Sequence, residues 1–369
     1  MRVALSYPGC HRCGGVERVI HECAGYLAGR GHEVTVFATE WEAGDLPIHY
    51  ERVIHRMWPA FVRPRSFFRE CTNRLSKASF DICASFGSEC PTGGVFWAQS
   101  VHRAWLERVK AFRASMSLGR WKQRLNPLHP VLLRLEHEHF ARRKYRKIIA
   151  MTPEVQNDLQ QIYGVPAGDV VLVPNGVSLT EFNIARCADR RDEMRRKLGY
   201  AKTDKVVIFV ANETERKGFK PMLRAIESFR DSSIRILAVG KLDSRAASDS
   251  QQVTFTGPTN DAAGYYAAAD VFVLPTQYEA WGLVIVEALA CGLPVITSRL
   301  AGAAVAVREG ATGELLDDPR DDSEIASKLS RILNRAGPGA AAIAASVEEY
   351  SWSRVLPRYE QVLAECATT

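Results

Sequence analysis

No stretch of this 369-residue chain approaches the roughly 18 uncharged apolar residues that a membrane-spanning helix needs. The opening MRVALSYPGC runs from Arg2 straight into a short β-like segment and a turn, with no apolar stretch of signal-peptide length, so a cytoplasmic protein is expected. Cysteines number nine, odd and irregularly spaced, which excludes a secreted disulfide framework and predicts mostly reduced thiols. Cys10 and Cys13 form a lone CxxC around His11, and no second pair follows at zinc-ribbon spacing; ordinary turn residues are expected there rather than a metal or redox centre. Self-similarity at a period of 20–50 residues is missing, which argues against solenoids and propellers. GxGxxG is missing too, and that counts against NAD.

What is present describes a folded protein. Hydrophobic residues make up 46% and charged residues 24% of the chain, and the length predicts two domains. The net charge of +6 conceals an asymmetry: thirteen Lys or Arg face three Glu between Arg103 and Lys147, so that stretch carries +10 and the remainder −4.

Short β-branched runs alternate with helical patterns: Arg2–Tyr7, a helix over Val16–Arg30, then Glu33–Thr39, Asp81–Phe86 and Val95–Gln99. A second series runs through Lys205–Ala211, Arg235–Gly240, Val253–Gly257, Val271–Thr276 and Pro294–Ser298. Such alternation predicts an α/β protein of two Rossmann-like halves with mostly parallel sheets. Asp169–Pro174 reads as the last strand of the first half and the polar stretch 178–203 as a connection. The expected domains are 1–180 and 181–345, and 346–369, carrying Tyr350, Trp352 and Tyr359, reads as a final amphipathic helix returning to the first domain.

Ligands of open α/β sheets sit beyond the carboxyl ends of the strands. After the first strand, Gly14 and Gly15 lead into a helix whose amino terminus can receive a phosphate, a plain turn being the competing reading. After the first strand of the second half, Arg216 and Lys217 precede Gly218 and suit a diphosphate, against a solvated basic pair. The most specific segment is 271–298. Glu279 stands in the loop after a buried strand, and Glu287 within an otherwise apolar helix, where a carboxylate needs a partner such as a ribose diol. Backbone N–H groups of Ala280, Trp281, Gly282 and Leu283 lie at that helix's amino terminus and favour phosphate oxygens.

The run EAWGLVIVEALACGLPVI, residues 279–296, resembles the E-x7-E module of retaining GT-B glycosyltransferases of glycosyltransferase family 4. Gly14-Gly15-Val16-Glu17 resembles that family's glycine loop, VPNGV at 173–177 its domain-end signature, and Arg216-Lys217-Gly218 its basic pair. Ala280 and Trp281 replace the commoner Pro-Phe, and E-A-x-G with adjacent Arg-Lys looks closer to the enzymes that add glucose to the lipopolysaccharide core. Asn212-Glu213 replaces the usual Gly-Arg after the strand.

The resemblance implies two parallel sheets facing a central cleft and a metal-independent hexosyltransferase using a nucleotide-sugar as co-substrate, with UDP-glucose favoured. No DxD stands at a strand end. It implies that Glu279 contacts donor-sugar hydroxyls and Glu287 the ribose. Gly14, Gly15, Glu17, Arg216, Lys217 and the 280–283 amides would serve the rest of the donor, the diphosphate above all. His102, after the strand 95–99, stands where the family places a histidine near sugar and acceptor. An exposed loop histidine is the alternative. The acceptor is expected to be a saccharide or lipid-linked glycan of cell-envelope or lipopolysaccharide synthesis. Segment 103–147 interleaves Trp105, Val109, Phe112, Met116, Leu118, Trp121 and Leu125 with its charges, which suggests peripheral docking on the anionic inner face of the cytoplasmic membrane, or simply a solvated helical face. Nucleic acid is not an expected partner: no motif for it accompanies the charge. A sugar-nucleotide epimerase of the same architecture and a non-catalytic nucleotide-sugar-binding protein are the competing functions.

Overall fold

Apolar runs such as VALS at 3–6 and VVIF at 206–209 leave no wet face, and each forms a strand of a parallel sheet buried on both sides. The structure, a computed structural model, describes residues 1–12, 14–112, 125–247, 250, 252–334 and 339–367. The chain divides into two compact units, Met1–Asn175 with Ser353–Thr369, and Gly176–Trp352.

The first unit contains β1 (Arg2–Ser6), β2 (Gly9–Cys10), β3 (Glu33–Ala38), β4 (Glu40–Trp41), β5 (Ile48–Arg52), β6 (Ile82–Ser85), β7 (Val95–Ala98), β8 (Lys147–Ala150) and β9 (Val170–Leu172). Seven of these form an all-parallel sheet in the order β5-β3-β1-β6-β7-β8-β9, while β2 pairs with β4. Its helices are α1 (Val16–Gly29), α2 (Arg63–Leu75), α3 (His102–Phe112), α4 (Leu128–His139) and α5 (Pro153–Tyr163). On α1, Val19, Ile20, Cys23, Ala24 and Leu27 are buried, the stripe expected of a helix lying on a sheet. The last helix, Trp352–Ala367, counts with this unit from Ser353 onward. Its Tyr359 ring stands 4.6 Å from that of Trp97 and 6.1 Å from that of Phe86, and its Glu360 accepts from Tyr26 at 2.8 Å and meets His32 Nε2 at 2.7 Å.

The second unit contains α6 (Ile184–Leu198), β10 (Lys205–Val210), α7 (Phe219–Glu227), β11 (Ile234–Val239), β12 (Val253–Gly257), α8 (Ala262–Ala268), β13 (Val271–Leu274), α9 (Leu283–Ala290), β14 (Val295–Ser298) and β15 (Gly313–Leu316). The sheet order is β12-β11-β10-β13-β14-β15, again parallel throughout.

Three sequence expectations need correcting. The supposed connection 178–203 contains α6, which Asn183 caps by accepting from the Arg186 N–H at 3.0 Å. Its buried face holds only Cys187, Met194 and Arg195, too little apolar signal to read as a helix. Strands β5, β8 and β15 were unforeseen: IHYER is half-exposed edge strand, KIIA follows directly on the charged run 142–146, and GELL opens on Gly313 and Glu314. Cys10, expected in an ordinary turn, is buried on β2, and burial followed by Glu42 pushes its thiol up to about 12; Cys13 lies outside the described residues.

Helix α6 is held by charge. Asp270, just before β13, accepts from Arg191 Nη2 at 2.5 Å, Arg195 Nη2 at 2.7 Å and the Val206 N–H at 2.7 Å. Arg195 is 4% exposed, so removing its carboxylate strands a buried charge. Asp270→Ala should therefore destabilise the second unit by about 3 kcal/mol, seen as a lower urea midpoint; an unchanged midpoint would show that solvent already serves Arg195.

Candidate active site

In the second unit the chain runs outward from β10 to β12 and then returns to lay β13 against β10, with Val207 paired to Val271. This reversal is the switch point at which open α/β sheets form their ligand crevice. It brings together two loops that are far apart in sequence.

The β10 loop enters α7 through Gly218, whose φ of +80° lies in the left-handed region and whose Cβ, if present, would stand 2.0 Å from the Pro275 carbonyl oxygen. Only glycine lets the loops approach this closely. The Gln277 N–H donates to the Arg216 carbonyl at 2.9 Å, stitching the loops through backbone. Arg216 Nε donates to Glu213 Oε2 at 2.8 Å, Nη1 donates to the Tyr278 carbonyl, and Nη1 stands 3.9 Å from Glu279 Oε2. The Lys217 ammonium touches that same Glu279 oxygen. Asn212 Oδ1 accepts from the Lys241 N–H at 3.1 Å and Thr214 Oγ1 from the Asp243 N–H at 3.0 Å, tying the turn to the loop after β11. Burial, then the Arg216 guanidinium, lowers the Lys217 ammonium from 10.5 to about 7. The Glu279 carboxylate acts in the opposite direction, so the proton depends on the partner Lys217 has.

The β13 loop is braced from its other side. Glu279 donates its N–H to Leu300 O at 3.1 Å, Gly302 donates to Glu279 O at 2.8 Å, and Ala303 to Trp281 O at 2.8 Å. Trp281 is 3% exposed and packs 5.7 Å from Tyr350, so its side chain serves the unit's interior and only its backbone is available to a ligand. Gly282, φ +98°, precedes Leu283 at the start of α9. Glu287 is buried on α9, where the Tyr266 hydroxyl of α8 donates to its Oε2 at 3.2 Å. Tyr266 was missed by sequence reasoning: it sits before β13, and only the fold carries it to Glu287. Arg216, Lys217, Glu279 and the 280–283 backbone thus gather beyond the carboxyl ends of β10 and β13, and Glu287 lies on the helix that follows.

Gly14, Gly15, Glu17 and His102 belong to the first unit. There the reversal falls between β1 and β6. Gly15 caps α1 without a side-chain bond, and Glu17 folds back so that its Oε2 lies 2.5 Å from where a Gly14 Cβ would be. A carboxylate, not open space, therefore meets an anion approaching Gly14. A cavity of about 150 Å³ beside it is lined by Tyr7, Val16, Glu89, Gln99, His102 and Glu136. Burial, with Glu17 adding repulsion, pushes the Glu89 carboxyl up.

His102 opens α3, and Glu136 of α4 accepts from the His102 and Arg103 N–H groups while taking the Tyr163 hydroxyl at 2.7 Å. Its ring lies 3.1 Å from His129 Nδ1 and stacks on Trp105 at 5.3 Å. Burial, then His129, lowers His102 to about 4, so the ring is neutral at pH 7. His102 is therefore half-buried and partnered rather than a free loop histidine. Neither His129 nor Glu136 carries a linear signal linking it to His102. The larger cavity of the second unit, about 490 Å³ and lined by Lys205, Asp270 and Pro294, lies at the amino ends of the strands, away from Lys217 and Glu279. Among the described residues no group of three or more His, Cys, Asp or Glu is placed to hold a metal.

The sequence matches Glycosyltransferase Family 4 over residues 13–181 and Glycosyl transferases group 1 over residues 190–346. The chain is a family 4 glycosyltransferase. This glycosyltransferase is 24% identical over 335 residues to the lipopolysaccharide glucosyltransferase WaaG of Escherichia coli strain K12, covering 88% of this chain and 87% of WaaG. It is 34% identical over 227 residues to a D-inositol 3-phosphate glycosyltransferase of Rhodococcus opacus, covering 56% of this chain and half the length of that relative, 50%. The solved structure of WaaG superposes on the glycosyltransferase with a TM-score of 0.81 at 22% identity over 98% of this chain and 99% of WaaG. Anabaena HepE in complex with UDP and glucose does so at 0.73 and 16%, covering 99% of each. The architecture is GT-B, with two Rossmann-like units.

Because His102 titrates lower in the folded glycosyltransferase than its ordinary 6.5, the unfolded chain binds more protons between about 4 and 6.5, and stability falls as pH drops through that window. His139, also lowered to about 4 chiefly by burial, adds to the fall. Urea unfolding of His102→Asn should show a shallower loss than wild type from pH 6.5 to 4; equal slopes would mean the ring is not held neutral.

Proposed function

We propose that this glycosyltransferase moves a hexose, read as glucose, from UDP-glucose to a saccharide or lipid-linked glycan acceptor of cell-envelope or lipopolysaccharide synthesis, with retention and without a metal. The observation that carries this reading is the Lys217–Glu279 contact, flanked by Arg216, at the β10/β13 reversal beside the amino terminus of α9. Two cations and the 280–283 amides can neutralise a diphosphate as it departs, the electrostatic help that acyl and phosphoryl transfers also depend on. An incoming diphosphate replaces Glu279 as the partner of Lys217. This frees the carboxylate for donor-sugar hydroxyls, while Glu287, positioned by Tyr266, accepts from the ribose diol. The names of WaaG, a glucosyltransferase, and HepE, bound to UDP and glucose, support the donor.

In the transfer the acceptor oxygen bonds to the anomeric carbon on the face the diphosphate leaves. The anomeric carbon–phosphate oxygen bond breaks, and the acceptor proton passes to that phosphate oxygen. His102, a weak base at about 4, fits hydrogen bonding to sugar or acceptor better than proton abstraction. Glu17 fits a hydroxyl better than a phosphate, since like charges repel; Gly14 and Gly15 supply backbone to the donor. Peripheral association through the charges of 103–147 completes the reading. Of its apolar residues, Met116, Leu118 and Trp121 lie outside the described residues, Val109 is buried and Leu125 is 71% exposed.

Glu279→Ala and Lys217→Ala should each abolish transfer while the protein still folds, as circular dichroism would show, and normal turnover in both would refute the assignment. Among UDP-, GDP- and ADP-sugars, UDP-glucose should stabilise the protein most against heat. Donor stabilisation without transfer to any glycan would instead indicate a sensor, and release or epimerisation without acceptor an epimerase. Since Lys217 must be protonated to hold a diphosphate, calorimetric donor affinity should weaken as pH rises through about 7 and stay level in Lys217→Arg.

A further inference from the structure

Half of the large apolar side chains left exposed among the described residues fall in one loop of the first unit, 53–62, between β5 and α2: Ile54 at 70%, Met57 at 50%, Trp58 at 84% and Phe61 at 37%. The loop is not loose. His55 Nε2 lies 3.1 Å from Thr39 Oγ1, the Arg56 N–H donates to Ser66 Oγ at 2.8 Å, and Arg63 Nε donates to the Met57 carbonyl at 2.6 Å. The apolar tips are thus held outward by polar bonds from beneath.

Around them stand Arg52, Arg56, Arg63, Arg65 and Arg69, all exposed, with no Asp or Glu between 52 and 69. This pairing of chemistries narrows the partner. A nucleic acid would use the arginines but not Ile54 and Met57; a second copy would bring five arginines against five. An anionic bilayer uses both, taking tryptophan and aliphatic tips at headgroup depth and arginine on lipid phosphates.

We propose that loop 53–62 docks the protein on anionic membranes, inserting Trp58, Met57 and Ile54 at the interface while the flanking arginines bind lipid phosphates. The loop's own turn Ala60–Val62 packs against α4 of segment 103–147, but its apolar tips and flanking arginines lie outside that segment, and the surface is independent of the donor assignment.

The test is flotation of the full chain with vesicles of phosphatidylcholine alone or mixed with phosphatidylglycerol. Binding should require phosphatidylglycerol, weaken with salt, and fall about tenfold or more in Met57→Ser/Trp58→Ser, while Arg142→Gln/Lys144→Gln keeps most of it. Unchanged melting temperature and donor-induced stabilisation in the loop variant show that its fold and donor site are intact. Wild-type binding by the loop variant, equal binding to neutral vesicles, no binding at all, or a wild-type dimer that the loop variant abolishes would each overturn the proposal.

Discussion

An ammonium and a carboxylate at one edge of a sheet set the terms for this protein. Lys217 is 13% exposed and Glu279 21%, so each is removed from most of the water that would stabilise its charge. Burial and the neighbouring Arg216 guanidinium together would bring Lys217 to the verge of deprotonation near neutral pH. The pair holds because each charge is the other's replacement for water, and that makes the arrangement exchangeable. In the proposed reaction a diphosphate would offer the ammonium a stronger partner and release the carboxylate for hydroxyls.

That contact depends on backbone brought close. Gly218 permits the approach of Pro275, Gln277 bonds to Arg216, and residues 279–281 are laced to 300–303. Almost every tie is a main-chain hydrogen bond, which does not change with the side chain carried. This explains how Ala280 and Trp281 can stand in an unusual pairing without disturbing Glu279: Trp281 turns inward to Tyr350 and leaves its backbone in place.

The first unit uses burial differently. Its cavity gathers Tyr7, Glu89, Gln99, His102 and Glu136, and desolvation keeps both the imidazole and the Glu89 carboxyl toward their neutral forms. Charge in this unit instead lies outward, on the arginines around loop 53–62 and on Arg134, Arg142, Arg143 and Lys144.

Much was legible from the linear chain. Parallel strands buried on both faces write themselves as unbroken apolar runs, so β1, β3, β7, β10, β11 and β13 stood out, and a carboxylate inside the apolar helix 283–290 marked Glu287 at once. Elements without that contrast were hidden: α6 is too polar, β5 too exposed, and β8 follows directly on the charged run 142–146. Pairing was hidden as well. Sequence named each group individually: Glu287 from its apolar setting, Lys217 and Glu279 from their places beyond strand ends, and His102 from the family resemblance. That Lys217 touches Glu279, that Tyr266 serves Glu287, that Glu17 covers Gly14 and that His129 flanks His102 were decided by strand order and helix packing, which join residues with no local relation. Local composition determined which groups could act; the tertiary fold decided their partners, and through desolvation by those surroundings, their charge.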